Sequence, residues 1–247
     1  MTFEIFGLVI HGYSAVEAIE RLRWMNAQGK QVMIVTANAE ILLEAKRDAR
    51  YWNVLRQADL RLVDSIGLQC AARMRGVMPH RVPGVDFAEK LLEEAIEREW
   101  RVAFIGGQDG IVERAGWNMR KKFPEIILST EQGGVVSMEG ESDEKGHEAL
   151  MRLTQFAPDL IFVAFGHPKQ ESWIVQYLAQ LPSVKVAIGV GGAFDYWSGS
   201  VRRAPYWMQT CGVEWLYRLL REPKRIKRIL QAVFVFPYYA LKEKLAG

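Results

Sequence analysis

The sequence predicts an α/β fold: a Rossmann-like parallel sheet core with helices on both faces, followed by a basic amphipathic C-terminal helical appendage. Three observations predict it. Strand-like and helix-like stretches alternate along the 247 residues. The strand-like stretches are continuously apolar rather than alternating, as a sheet covered on both faces requires. Stretches of helical length separate them, and parallel neighbours need such crossovers.

Taken in order, Met1 to His11 reads as a strand and lacks the basic start of a signal peptide. "SAVEAIERLRWM" follows, with Ser14 and Glu17 in capping-box spacing at the head of a helix. "QVMIV" (31–35) and "LRLVD" (60–64) are short, apolar and bounded by turn residues, and between them "TANAEILLEA" reads as a loop entering a helix. "GVDFAEKLLEEAIEREW" repeats apolar residues at helical intervals. The strands "RVAFIGG" (101–107), "EIILST" (125–130), "DLIFVAFG" (159–166) and "VKVAIGVGG" (184–192) complete the sheet. In "FVAFGHPKQESW" (162–173), Gly166 ends the strand and Pro168 opens a helix. No repeat, low-complexity segment or composition break appears before about residue 200. The expected organisation is a catalytic α/β domain over 1–200 and an appendage over 201–247.

A chain that is 49% hydrophobic and 25% charged is ordinary globular material, long enough for a large core. Cys70 and Cys211 lie far apart without ligand spacing, which implies a reducing compartment and no structural zinc. The longest late apolar run, Ala232 to Leu241, falls short of the ~20 residues a spanning helix needs. A cytoplasmic location follows as the expectation. From Arg202 onward ten Lys/Arg face three Asp/Glu, so this segment carries +7 and the remainder −4 of the net +3. Such a tail is either a docking end for something anionic or a solvated basic helix.

Open parallel sheets bind ligands beyond the carboxyl ends of their strands. The residues expected there are Thr36, Asn38, Asp64, Gly106–Gly107, Gly166 to Glu171 and Gly191 to Asp195. A nicotinamide dinucleotide would need G-x-G-x-x-G. "GVGGAF" puts Phe194 where the third glycine belongs and no helical pattern follows it. No P-loop, no G-x-S-x-G and no Asp-x-Asp occurs, and the four histidines are scattered. The expectation is a phosphate-compatible crevice with no metal and no cofactor. Asp64 is either a general base whose pKa partial burial raises or the cap of the helix starting near Ser65. Thr36 and Asn38 equally suit a turn and an N-cap, and Gln170 and Glu171 the first turn of a helix. His167, between Gly and Pro, reads as an exposed turn residue.

Six segments occur in an order that resembles one family: "VTANAE" (35–40), "ADLRLVDSIGL" (58–68), "RVPGVDF" (81–87), "GHPKQE" (166–171), "GVGGAFDYWSGSVRRAPYW" (189–207) and "GVEWLYRLLREPKR" (212–225). The sequence resembles the WecG/TagA/CpsF family of bacterial glycosyltransferases from about residue 1 to about 230. The resemblance implies an inverting, metal-independent enzyme that moves an N-acetylmannosamine-type sugar from its UDP conjugate to polyprenyl-diphosphate-linked N-acetylglucosamine. Its product belongs to a teichoic acid, enterobacterial common antigen or related surface polymer. Carried over, Asp64 matches the general base. Thr36, Asn38, Arg81 and Gln170 match residues around the donor's sugar and phosphates, Gln170 within the turn that begins at Gly166 and that Glu171 supports. Gly191, Gly192 and Asp195 match the nucleotide end. The residue at position 167 varies in the family, which argues against catalysis by His167.

Diphosphate departure builds negative charge that fixed cations must neutralise. Arg218, Arg221, Arg225 and Arg228 fall at i, i+3, i+7 and i+10, on one helical face unless Pro223 divides it, and Arg202 and Arg203 are further candidates. Ile226, Ile229, Leu230, Val233 and Phe234 form an apolar stripe beside that face. The stripe suits either docking on the core or a bilayer interface; a lipid-linked acceptor favours the membrane. The expected partners are therefore a UDP-sugar, the lipid-linked acceptor and the inner face of the cell membrane, with no nucleic acid and with room for a homo-oligomer. The alternatives are another UDP-N-acetylhexosamine for exopolysaccharide assembly, a NAD-dependent oxidoreductase, or a non-catalytic basic adaptor.

Overall fold

The structure, a computed structural model, describes residues 1–211, 214–221 and 226–246, apart from the side chains of Thr210, Arg218, Leu220, Arg221, Lys227 and Ala246. Its centre is an eight-stranded sheet: β1 (Thr2–Ile5), β2 (Leu8–His11), β3 (Val32–Ala37), β4 (Leu60–Val63), β5 (Arg101–Gly106), β6 (Ile127–Glu131), β7 (Leu160–Ala164) and β8 (Val186–Gly189). The order across the sheet is β1-β2-β4-β3-β8-β7-β5-β6, and every pairing except β1 with β2 is parallel.

Both faces of this sheet are packed, which is why its strands are apolar throughout. In β7, Leu160, Phe162 and Ala164 belong to one core and Ile161 and Val163 to the other. On the first face Phe104 stacks on Phe194 at 4.9 Å and on Trp197 at 5.3 Å between ring centres. Helices cover both faces, and the first of them, Ala15–Ala27, starts at the expected capping box: Ser14 Oγ accepts from Glu17 N–H and the Glu17 carboxylate accepts from Ser14 N–H.

Two elements differ from the sequence reading. Met1 to His11 is not one strand but an antiparallel hairpin, because Phe6 and Gly7 take φ values of 53° and 74° and close a two-residue turn. After "GVGG", a short helix, Ala193–Trp197, does follow β8. It forms because Phe194 and Trp197, one turn apart, both sink into the core around Phe104.

The chain ends in the helix Ile226–Leu230, a π-helical turn over Gln231–Val235 and the helix Phe236–Ala246. Phe236 and Ala240 are fully buried, Phe236 edge-on to Phe6 at 5.9 Å. Glu243 accepts the Phe6 N–H at 2.7 Å and pairs with Arg75 at 2.7 Å. The final helix thus docks on the N-terminal hairpin. The expected stripe splits: Ile229 is buried, Val233 is half-buried, and Ile226, Leu230 and Phe234 face solvent. Among the described residues no helix is long and apolar enough to cross a membrane.

Candidate functional site

Ala37 pairs with Val63 across β3 and β4, so Thr36 and Asp64 emerge side by side at the carboxyl ends of adjacent strands. They open a crevice of about 900 Å³ that also runs along the ends of β5, β7 and β8. Thr36, Asn38, Asp64, Arg81, Gly166, Gln170, Gly191, Gly192 and Asp195 all line it, and so do Ile229, Ala232 and Val233 of the tail.

Asp64 does not cap the helix Ile66–Met74; Ser65 does, its Oγ accepting from Leu68 N–H at 3.3 Å. The Asp64 carboxylate instead turns across the crevice floor, where Oδ1 accepts the Gly84 N–H at 3.0 Å. Gly84 opens the helix Gly84–Glu97 and packs so closely that an added Cβ would sit 2.8 Å from Thr36 Oγ1. Backbone packing therefore fixes Thr36, Gly84 and Asp64 as one unit. Asn38 does fill the capping role, its Oδ1 accepting from Glu40 N–H and Ile41 N–H at 3.0 and 3.1 Å. This holds the amino end of the helix Ala39–Arg47 against the rim.

At the end of β7, Gln170 and Glu171 lie in the first turn of the helix Lys169–Tyr177, yet they are only 4% and 1% exposed. Gln170 Nε2 donates to Glu171 Oε1 at 2.7 Å and its Oε1 accepts the Gly191 N–H at 3.0 Å. Glu171 stands behind Gln170, outside the crevice wall. Burial there pushes its carboxyl up to about 7. His167 is half-buried rather than exposed, because the tail residue Arg228 reaches over it: Nη2 lies 3.0 Å from His167 Nε2 while Nε donates to Glu40 at 2.8 Å.

Cations cluster at the mouth. Arg81 Nη2 donates to the Gln209 carbonyl at 2.7 Å, at the carboxyl end of the helix Tyr206–Thr210. Arg203 forms a two-pronged pair with Asp86, which holds its guanidinium above the usual arginine range despite burial. Arg202 is exposed and takes no part in the crevice wall. The backbones of Arg218 and Arg221 lie in the helix Glu214–Arg221, but their side chains, all of Arg225 and the break at Pro223 lie outside the described residues. Among the described residues no three His, Cys, Asp or Glu come together as a metal-holding group. Cys70 lines the crevice as a free thiol.

The sequence reading passed over Gly84 as a site residue and named Arg228 only among the candidate cations of the tail. Gly84 had a visible signal, its place after Pro83 in "RVPGVDF"; Arg228 had only its place in the basic spacing.

This crevice, with Asp64 on its floor and arginines along its wall, lies in a chain with known relatives. The model of the Glycosyl transferase WecG/TagA/CpsF family aligns with residues 3–247. The chain belongs to the WecG/TagA/CpsF family. A Staphylococcus aureus (strain MW2) protein is 31% identical over 244 residues, 98% of this chain and 92% of its own length, and is named N-acetylglucosaminyldiphosphoundecaprenol N-acetyl-beta-D-mannosaminyltransferase. The protein of the same name from strain NCTC 8325 / PS 47 is similar to the same extent. The chain is accordingly a glycosyltransferase of that family.

Proposed function

We propose that this glycosyltransferase moves an N-acetylmannosamine-type sugar from UDP onto polyprenyl-diphosphate-linked N-acetylglucosamine, with inversion and without a metal ion, at the membrane surface. The observation that carries the reading is the Asp64 carboxylate. It stands at a strand end, oriented by the Gly84 N–H and not used to cap the helix that follows it. The names of the S. aureus relatives supply the sugar and the acceptor.

In this reading Asp64 takes the proton of the acceptor hydroxyl as its oxygen bonds to the anomeric carbon. The bond from that carbon to the UDP oxygen breaks on the opposite face, so an alpha-linked donor gives a beta product, matching the "beta" in the relatives' names. Charge growing on the departing diphosphate meets Arg81, Arg203 and Arg228 at the rim, beside the Gly191–Gly192 turn. Arg218, Arg221 and Arg225 of the tail add to that set. Thr36 and Asn38 flank the sugar. The appendage over 201–247 walls the crevice, and its outward residues Ile226, Leu230, Phe234, Tyr238, Leu241 and Leu245 rest on the bilayer that carries the acceptor.

The test is UDP release from a panel of UDP-sugars, with a synthetic prenyl-diphosphate-linked N-acetylglucosamine and EDTA throughout. Acceptor-dependent release with one N-acetylhexosamine donor, undiminished by EDTA, is the expected result. Asp64→Asn should lower kcat by about 10²- to 10⁴-fold while leaving UDP affinity within about twofold. Unchanged turnover in that variant removes Asp64 as the base, and a wild-type protein that neither binds UDP nor releases it ends the reading.

A further inference from the structure

Behind the crevice wall, a chain of hydrogen bonds runs from a helix that does not line the crevice to a turn that does. Tyr51, buried on the helix Ala49–Gln57, donates its hydroxyl proton to Glu171 Oε2 at 3.0 Å. The other carboxylate oxygen accepts from Gln170 Nε2, and Gln170 Oε1 accepts from Gly191 N–H. Tyr51 and Glu171 are absent from the crevice wall, whereas Gln170 and Gly191 are part of it.

The direction of this chain is set by chemistry. Above about pH 7, where Glu171 is ionised, its carboxylate only accepts, so the Gln170 amide must turn its nitrogen to Glu171 and its oxygen to Gly191. Were the amide reversed, its oxygen would face the carboxylate and its NH₂ the Gly191 N–H, leaving two buried groups unpaired. Packing adds a second restraint. Gln170 lies against the end of β8 so closely that a Cβ on Gly189 would meet Nε2 at 2.6 Å. The Gln170 backbone N–H in turn bonds the Gly166 carbonyl at 3.0 Å. One side chain therefore sets the spacing between the glycine turns after β7 and β8, and the carboxylate behind it sets that side chain.

We propose that Tyr51 and Glu171 are positioning residues: they orient the Gln170 amide, which holds the Gly191 turn in the shape that receives the donor's nucleotide end. Calling that turn the donor site rests on the function proposed above; the relay itself does not.

The experiment uses the full chain and reads the relay without ligand. Amide hydrogen exchange is measured at Gly191 and, for reference, at Ile161 in β7, in the wild type and in Tyr51→Phe, Glu171→Leu and Glu171→Gln. Tyr51→Phe removes one hydroxyl and keeps the ring, so it is the variant most certain to fold. The expected result is about tenfold faster exchange at Gly191 in Tyr51→Phe and more in Glu171→Leu, with Ile161 unchanged. Glu171→Gln keeps protection, because its amide oxygen still accepts from Gln170 and its nitrogen can donate to the Tyr51 oxygen. The dissociation constant of UDP and the KM for donor should rise about tenfold in Tyr51→Phe with kcat within about twofold. Unchanged Gly191 exchange in both Tyr51→Phe and Glu171→Leu, or an equal rise at Gly191 and Ile161, overturns the relay and leaves Tyr51 a core hydrogen bond. If the wild type binds no UDP, the donor reading fails separately, while exchange at Gly191 still decides the relay.

Discussion

Replacing Glu171 with Gln should change how the stability of the protein depends on pH. Burial lifts this carboxyl from 4.5 to about 7. The groups hydrogen-bonded to it are the Gln170 amide, its own backbone N–H and the Tyr51 hydroxyl; the nearby Glu44 carboxylate acts on Tyr51. Between pH 4.5 and about 7 the folded protein keeps a proton that the unfolded chain has lost. The folded state binds more protons there, so stability contributed by this group is full below pH 4.5 and is lost as pH rises through about 7. At about 1.4 kcal/mol per pH unit, the interval amounts to about 3 kcal/mol. His11 pulls the other way: burial and the Arg61 charge lower it to about 4, so its contribution grows as pH rises through that value towards 6.5. The wild-type curve alone therefore mixes opposite slopes, and the difference between variant and wild type isolates Glu171. The assay is urea unfolding of both proteins at about pH 4.5 and about pH 8.5, with equal m-values as the check on two-state behaviour. Glu171→Gln should gain about 3 kcal/mol on the wild type between those limits. A difference constant to within about 0.5 kcal/mol would refute the reasoning and mean that Glu171 titrates as an ordinary surface carboxyl.

Three further outcomes are expected. Gly84→Ala places a Cβ against Thr36 Oγ1 and shifts the N–H that orients Asp64; turnover should fall about ten- to a hundredfold while the thermal midpoint stays near wild type. Phe236→Ala empties a fully buried site under the tail and should cost about 3–5 kcal/mol in urea unfolding. Phe234→Ser alters a residue that is 67% exposed, so stability should move by no more than about 0.5 kcal/mol. That variant should nonetheless sediment less with anionic vesicles; undiminished sedimentation would take Phe234 out of the membrane contact.

Much of the sheet was legible because its strands are buried on both faces, and runs such as "DLIFVAFG" admit no exposed alternative. The hairpin at the start was not, because Phe6 adopts a positive φ without the Asn-Gly or Asp-Gly pair that usually signals it. Position on the crevice was legible for Thr36, Asn38, Asp64 and Gln170, since strand ends and turn residues coincide there. Roles were less so. Asp64 and Ser65 compete for the same cap in one dimension, and only the approach of Gly84, twenty residues later, separates them. The pairing of Tyr51 with Glu171 spans 120 residues and leaves no local pattern at all.

The bond from Phe6 to Glu243 joins residues 237 apart. During synthesis the hairpin leaves the ribosome long before the helix that clasps it. Ile229, Ala232 and Val233 wall the crevice from that same late segment. The sheet can form as the chain emerges, but the pocket gains this wall only once residues 226–246 have followed. A ribosome stalled before residue 226 would thus carry a folded sheet with an unfinished crevice. Phe6 and Glu243 also lie side by side, so joining the chain near them with a short linker and reopening it at an exposed loop should give a permuted enzyme that closes its pocket early.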